Sequence, residues 1–249
     1  MLELNQIELN KLGVSMEIIV LSGGAAAGVV KGIQEDFEKT HLCKISGTFS
    51  AVGAMRDLVL NGASCDLVIL SKVLVEELAQ SGHVIKGSVK SLGFVPTGLA
   101  VPRSRSLPQP AIGSLEELKE AFRAAPRLYF PDMQKSTAGI HFMKVMQQLE
   151  LDQELASRFK TFPNGATAMA EMALDPDPNV LGGTQTTEIN ICPGVKLIGL
   201  LPEAVSLNTD YTLGVCSQSK NPALAHSLAE SLLGLESLEI RRSIGYIVG

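Results

Sequence analysis

The chain has 249 residues, of which 45% are hydrophobic and 19% charged, as is typical of a globular protein with a substantial core. Its formal net charge of −5 argues against nucleic acid or an acidic membrane surface as a partner. Trp is absent and aromatic residues make up only 4%, which argues against a platform for stacking sugars or bases.

The first ten residues are acidic and polar, without the basic and apolar regions of a secretory signal. No run approaches the ~18 apolar residues of a membrane span, so we predict no membrane insertion. As written, the sequence indicates a cytoplasmic protein, or a periplasmic one from which an export signal has been removed. The four cysteines have no C-x-x-C spacing and favour a reducing compartment.

Strands and helices are predicted to alternate along the first third of the chain. The predicted strands cover residues 17–21, 44–48 and 66–70. The helices that follow them are predicted at residues 29–37, 54–60 and 73–80. This order predicts a parallel sheet with right-handed crossovers.

A second α/β series begins with a strand at residues 97–102. A capping box at Ser114 and Glu117 opens a helix that ends near residue 124. Further helices are predicted at 139–149, around 152–158, at 166–173 and at 223–233. Further strands are predicted at 127–130, 180–184, 196–200 and 212–216.

Two such series predict an α/β, bilobal fold with two mixed, mainly parallel sheets flanked by helices. We expect lobe 1 to comprise residues 16–97 and 206–249, and lobe 2 residues 98–205. A ligand cleft is then expected between the lobes, at the carboxyl ends of the strands.

Three short stretches rich in Gly, Ser and Thr are predicted where a strand passes into a helix, at residues 22–28, 48–54 and 135–139. Small side chains let a ligand approach the backbone, hydroxyl groups donate hydrogen bonds, and a helix N-terminus offers free N–H groups. Such corners favour a cleft that binds a small anion. Any one of them alone is better explained as an ordinary helix cap or turn, so the argument for a ligand site depends on their recurrence.

Sequence motifs for metal binding, nucleophilic catalysis or nucleotide binding are weaker or absent. The four histidines have no metal-ligand spacing, and no nucleophile elbow or phosphate-binding loop occurs, so we predict no metal and no cofactor. The glycines at 23, 24 and 28 lack the acidic residue that a dinucleotide site needs after the second strand.

Several motifs occur together and in a particular order. They are the small-residue loop at 22–28, Phe-Ser-x-x-Gly-Ala at 49–54, Asn-Gly-Ala at 61–63 before the strand at 65–69, Ser-Thr-Ala-Gly-Ile-His-Phe at 136–142, and Gly-Thr-Gln-Thr-Thr-Glu-Ile at 183–189 with the segment 193–202. From residue 17 to its end the chain thereby resembles the type II periplasmic binding proteins, in particular the molybdate-binding proteins of ABC transporters.

The resemblance implies capture of a small, molybdate-like oxyanion or an organic carboxylate, with an ABC permease as a possible partner. It implies ligand-binding roles for a set of first-lobe residues, namely Ser22, Gly23, Gly24, Ser50 and Ala51. The corresponding second-lobe residues are Ser136, Thr137, Thr184 and Gln185. Arg103 and Lys135 are expected near the cleft edges, where they could receive a carboxylate.

The loop Ser-Gly-Gly-Ala and the segment Thr-Gln-Thr-Thr-Glu depart from the pattern of the molybdate binders and favour an organic acid. The same broad family resembles aconitate isomerase, which moves a double bond by a 1,3-proton shift. As an alternative, the chain is therefore a leaderless cytoplasmic isomerase of a tricarboxylate. That reaction needs a base, and His141 and Glu188 are the catalytic candidates. Local packing of His141 and simple capping by Glu188 are the competing interpretations.

Overall fold

A computed structural model describes residues 16–248 of the chain. The first ten residues, on which the expectation about a secretory signal depends, lie outside the described residues. So does Gly249, at the end of the predicted lobe 1. Among residues 16–248, no helix is both long and apolar enough to cross a bilayer.

The described residues contain nine strands and nine α-helices. The strands are β1 (Met16–Gly23), β2 (Cys43–Ser50), β3 (Leu67–Ser71), β4 (Lys90–Pro102), β5 (Leu128–Pro131), β6 (Phe159–Phe162), β7 (Leu181–Gln185), β8 (Val195–Leu200) and β9 (Asn208–Val215). The helices are α1 (Ala27–His41), α2 (Val52–Leu60), α3 (Lys72–Gln80), α4 (Leu115–Ala124), α5 (Thr137–Gln148), α6 (Gly165–Ala173), α7 (Thr186–Asn190), α8 (Pro222–Leu233) and α9 (Leu235–Ile244).

The strands pair in the order β2-β1-β3-β9-β4-β7-β5-β6, and β8 also pairs with β4. The pairs β1–β2, β1–β3, β5–β6 and β5–β7 are parallel, and the pairs that involve β4 or β9 are antiparallel. This is the mixed α/β fold that the sequence predicts.

The long strand β4 joins two half-sheets. Its residues 90–96 pair with β9, and its residues 97–102 pair with β7 and β8. We call β1, β2, β3, β9 and residues 90–96 the first half-sheet, and β5 to β8 with residues 97–102 the second half-sheet. The change of partner near residue 97 supports the proposed lobe boundaries, which stay a prediction.

Each half-sheet has its own apolar core. Buried residues of β1, β3 and β9 pack with α1 and α8 on the first half-sheet. In the second half-sheet successive residues point to opposite faces. Leu99 and Phe130 belong to a cluster with α4 and α5, whereas their neighbours Ala100 and Tyr129 belong to a cluster with α6. Helices therefore cover both faces of the sheet.

The prediction of a helix around residues 152–158 is wrong. The chain forms turns there and a single 3₁₀ turn at Ala156–Arg158. The backbone of Glu150 is left-handed, with φ of 59°, and both Leu151 and Leu155 are fully buried. The segment thus forms turns that bury Leu151 and Leu155 before β6 begins at Phe159. The sequence analysis also missed β6, α7, α9 and the first half of β4.

Candidate functional site

The carboxyl ends of β1 and β2 bring the two first-lobe corners together. The strands are parallel, and Gly23 pairs in register with Ser50. Ser22 is fully buried, and its hydroxyl donates to the Gly23 carbonyl at 2.9 Å. A Cβ on Gly23 would lie 2.6 Å from Val52 Cγ1 and 2.9 Å from the ring of Tyr211, so only glycine fits. At this end of the sheet the backbone of Gly23 is therefore not covered by a side chain of its own and lies beside two serines.

The start of α2 meets the loop before α5, across the gap between the half-sheets. The N–H of Gly53 donates to the carbonyl oxygen of Lys135 at 3.2 Å. Ser136 is the N-cap of α5, and its hydroxyl accepts from the Gly139 N–H at 3.5 Å. The corners at Ala51 and Thr137 thus lie on facing helix starts, and the space between the half-sheets is called the cleft below.

A cavity of about 480 Å³ lies beside the Gly53–Lys135 contact. Its cationic lining comes from Arg56, Lys135 and Lys144, and its apolar wall includes the exposed side chains of Val73 and Ile140. Arg56 forms an ion pair with Asp57, whereas no ion pair of Lys135 or Lys144 occurs within residues 16–248. This volume is ample for a small organic acid.

On the opposite flank of the cleft, Glu188 is buried between the two half-sheets. The Thr184 hydroxyl donates to Glu188 Oε2 at 2.6 Å, and the Ala166 N–H, at the start of α6, donates to Oε1 at 3.3 Å. A Cβ on Gly24 would lie 2.2 Å from Oε1, and one on Gly165 would lie 2.1 Å from Oε2. The carboxyl group therefore touches both half-sheets.

Burial raises the pKa of the Glu188 carboxyl, against the hydrogen bonds from Thr184 and Ala166 that lower it. Within the described part of the chain no cation forms an ion pair with Glu188. Burial and the charge of Glu188 also raise the pKa of the Tyr211 hydroxyl well above its usual value. The ring of Tyr246 packs edge-on against Tyr211, with centroids 6.4 Å apart. Glu188 is thus a buried acid among aromatic hydroxyl groups.

Two predicted site residues have side chains that are hydrogen-bonded within the protein, although His141 also lines the cavity beside the Gly53–Lys135 contact. With its amide oriented so that every atom has a partner, Gln185 donates to the Val95 carbonyl at 2.9 Å and accepts from the Thr209 hydroxyl at 2.9 Å. Its side chain therefore joins the strands that cross between the half-sheets. The ring Nε2 of His141 is 2.8 Å from the Val205 carbonyl, and burial lowers the pKa of this histidine.

Arg103 does not meet the other predicted residues. Thr97 pairs with Gln185 at the cleft end of β4, whereas Arg103 follows the other end of that strand, where its N–H donates to Gly194. At about 3.3 Å per residue this separation is about 20 Å. Because β4 is antiparallel to β7, a residue after β4 lies away from the carboxyl end of β7. The expectation that Arg103 lies at the cleft edge is therefore not met.

The sequence analysis missed three residues of the cleft. Gly165 and its N-cap Asn164 bring α6 to Glu188, and Tyr211 packs against Gly23. Asn-Gly before the predicted helix at 166–173 was an available signal, since asparagine is a common N-cap. Tyr211 had no local signal, because its role depends on the pairing of β9 with β3.

Comparisons with known proteins agree on the fold. The sequence model of a family described as bacterial extracellular solute-binding protein matches residues 18–247. A Pseudomonas aconitate isomerase is 23% identical over 227 residues, covering 86% of this chain and 81% of that protein. The periplasmic molybdate-binding protein of Azotobacter vinelandii has a TM-score of 0.77 at 15% identity, covering 93% of this chain and 99% of that one. The sulfate-binding protein of Mycobacterium tuberculosis has a TM-score of 0.71 at 12% identity, covering 93% and 86%.

Proposed function

The chain belongs to the family of bacterial extracellular solute-binding proteins, and we propose that it reversibly binds a small oxyanion or organic carboxylate in the cleft. The observation that carries this proposal is the convergence of three donor-rich corners. Ser22 and Ser50 lie one register position apart at the carboxyl ends of β1 and β2, where Gly23 pairs with Ser50, and the start of α5 at Thr137 faces this end of the sheet through the Gly53–Lys135 contact.

The donors at these corners are neutral hydroxyl and backbone N–H groups. Free N–H groups at the first turn of a helix, with the partial positive charge of the helix dipole, favour an anion without a metal. Lys135 is exposed at the rim of the cleft, where it adds a cation. The net charge of −5 does not oppose such a site, because the local field at the corners is set by these donors.

The contact of Gly53 with Lys135 suggests how the ligand is retained. Binding between two lobes is commonly followed by hinge closure that shields the ligand from water. Here the closing elements are the start of α2 and the loop before α5. The same contact holds the second-lobe donors of Ser136 and Thr137 near the serines of the first lobe. We propose that this arrangement is the closed, ligand-binding form.

The partner in this proposal is an ABC permease, and the working location is outside the cytoplasmic membrane. The description of the family as extracellular solute-binding proteins supports this location. The bound solute would be handed to the permease when the lobes separate. The two solved structures named above are a molybdate-binding and a sulfate-binding protein, so tetrahedral oxyanions are the first probes to try.

Titration calorimetry of the wild type and of Ser22→Ala and Ser50→Ala tests this function. The probes are molybdate, tungstate, sulfate, citrate and both aconitates. Loss of one hydroxyl should weaken binding by about 1–3 kcal/mol, because the ligand oxygen it served is left unpaired. Ser104→Ala is the matched control, since Ser104 is exposed beyond the far end of β4. Equal affinities in all four proteins would refute the proposed site.

A second candidate function is a 1,3-proton shift in a tricarboxylate. Glu188 favours it, because a buried carboxyl with a raised pKa is suited to remove a proton from carbon. The proton would leave one carbon, the double bond would move, and a proton would return to the far carbon. His141 is less suited, since its ring bonds the Val205 carbonyl.

Deuterium exchange distinguishes catalysis from binding alone. Each acid is followed by NMR in deuterated buffer with the wild type, Glu188→Gln and His141→Ala. Incorporation that is lost only in Glu188→Gln would establish the isomerase. Tight binding without exchange would leave solute binding as the function.

A further inference from the structure

The Glu188 carboxyl occupies a position where an anion-binding cleft would otherwise offer donors. Its two oxygens accept from the Thr184 hydroxyl at 2.6 Å and from the Ala166 N–H at 3.3 Å. The first turn of α6 therefore directs its N–H groups at a side chain of the protein itself. Glu188 thereby occupies donors that would otherwise be free for an anion at this side of the cleft.

Glu188 is also adjacent to the loop that follows β1. Its Oε1 lies against Gly24, two residues from Ser22, and neither Gly24 nor Gly165 has room for a side chain. Only 4% of Glu188 is exposed, and within residues 16–248 it has no ion-pair partner. Its carboxyl is therefore shielded from water and held by hydrogen-bond donors alone, namely the Thr184 hydroxyl and the backbone N–H groups of Gly165, Ala166 and Gln185.

These contacts have opposite consequences for two classes of ligand. A tetrahedral dianion needs donors on every side, and each of its charges is repelled by an ionised carboxylate at short range. An organic acid is asymmetric. Its carboxylate can bind Ser22, Ser50 and Thr137 while a hydroxyl, a protonated carboxyl or a C–H faces Glu188.

We propose that Glu188 is the specificity-determining residue of the cleft, and that it selects organic acids over tetrahedral dianions such as molybdate and sulfate. This inference rests on the proposed function and names its ligand class. The cavity beside Gly53 adjoins the cleft at Lys135 and Thr137, and the cationic side chains of Lys135 and Lys144 in its lining suit a second carboxylate of an organic acid.

The test measures dissociation constants of sulfate, molybdate, citrate and both aconitates for the wild type, Glu188→Gln and Glu188→Met. The glutamine keeps the size of the side chain and removes its charge. The methionine also removes its hydrogen bonds. Glu171→Gln is the matched control, because Glu171 is an exposed glutamate on α6 and the change in net charge is the same.

We expect the wild type to bind at least one organic acid more tightly than either dianion. In Glu188→Gln or Glu188→Met the affinity for the dianions should rise at least about 30-fold, as expected when one unit of short-range repulsion is removed. Glu171→Gln should leave the dissociation constants of all the probes unchanged.

Two results separate the inference from the proposed function. A wild type that prefers sulfate or molybdate, or variants that leave the ratio of affinities unchanged, would overturn the inference while binding itself stands. Binding of no probe by the wild type or by any variant would overturn the proposed function, and the inference with it. Dianion binding by Glu188→Gln, with no organic acid bound by the wild type, would uphold the binding site and overturn the selection of organic acids.

Discussion

Gly24→Ala would place one methyl group in the contact between the half-sheets. The new carbon would lie 2.2 Å from Glu188 Oε1, well inside van der Waals contact, and 3.7 Å from Asn164 Cβ. Glu188 cannot simply move aside, because Thr184 holds Oε2 at 2.6 Å. Overpacking of this kind costs about 1–3 kcal/mol. Since the closed form bears that cost, we expect the dissociation constant of the bound acid to rise about 5- to 150-fold.

The assay is calorimetry with the acid that the wild type binds most tightly, arranged as a double-mutant cycle. Glu188→Ala removes the colliding carboxyl, so the methyl group should cost little in the double variant, and the coupling should match the single-variant loss. Gly87→Ala is the control, because a Cβ there meets nothing within 4 Å. Equal affinities of Gly24→Ala and Gly87→Ala, or a coupling of zero, would refute the closed arrangement described above.

Two further predictions concern stability and are checked by urea unfolding across pH. Asp175→Asn should lower the free energy of unfolding by about 2–4 kcal/mol, because the buried Asp175 carboxylate pairs with Arg127 and accepts from the Tyr129 hydroxyl; a loss below 0.5 kcal/mol would contradict this. Glu38→Gln should cost about 1–2 kcal/mol at pH 7, because hydrogen bonds from the Ile45 N–H and Lys44 lower the pKa of Glu38 from 4.5 to about 2. That contribution is present above pH 4.5 and should vanish as pH falls towards 2, and a pH-independent difference would contradict it.

Much of the fold follows from local patterns in the sequence. The runs that become β1 and β3 are apolar because helices cover both faces of the sheet, and Ser114 with Glu117 forms the capping box that its spacing predicts. The wrong prediction also has a physical reason. The segment 152–158 was predicted as a helix, but it forms turns and one 3₁₀ turn that bury Leu155 before β6 begins at Phe159.

The candidate site was only partly predictable from the sequence. Each corner is a short sequence motif, whereas the contacts between corners join residues that are distant in sequence. Ser22, Ser50 and Ser136 follow from turn chemistry at the ends of strands. The environment of Glu188 depends on Gly24 and on the start of α6, which are distant in sequence and meet only when the half-sheets pack. The expectation for Arg103 failed for a related reason, since the direction of β4 is set by its antiparallel pairing with β7.

Backbone amide shifts in an ¹⁵N-labelled sample, recorded during titration with each of the six anions, locate the surface that binds the ligand. We expect at least one anion to shift the amide resonances of Gly23, Ala51 and Thr137 most strongly. The amide resonance of Ser104, which lies beyond the far end of β4, should not shift. Shifts confined to other surfaces, or no shifts with any of the six anions in a folded sample, would contradict the binding of a small anion in the cleft.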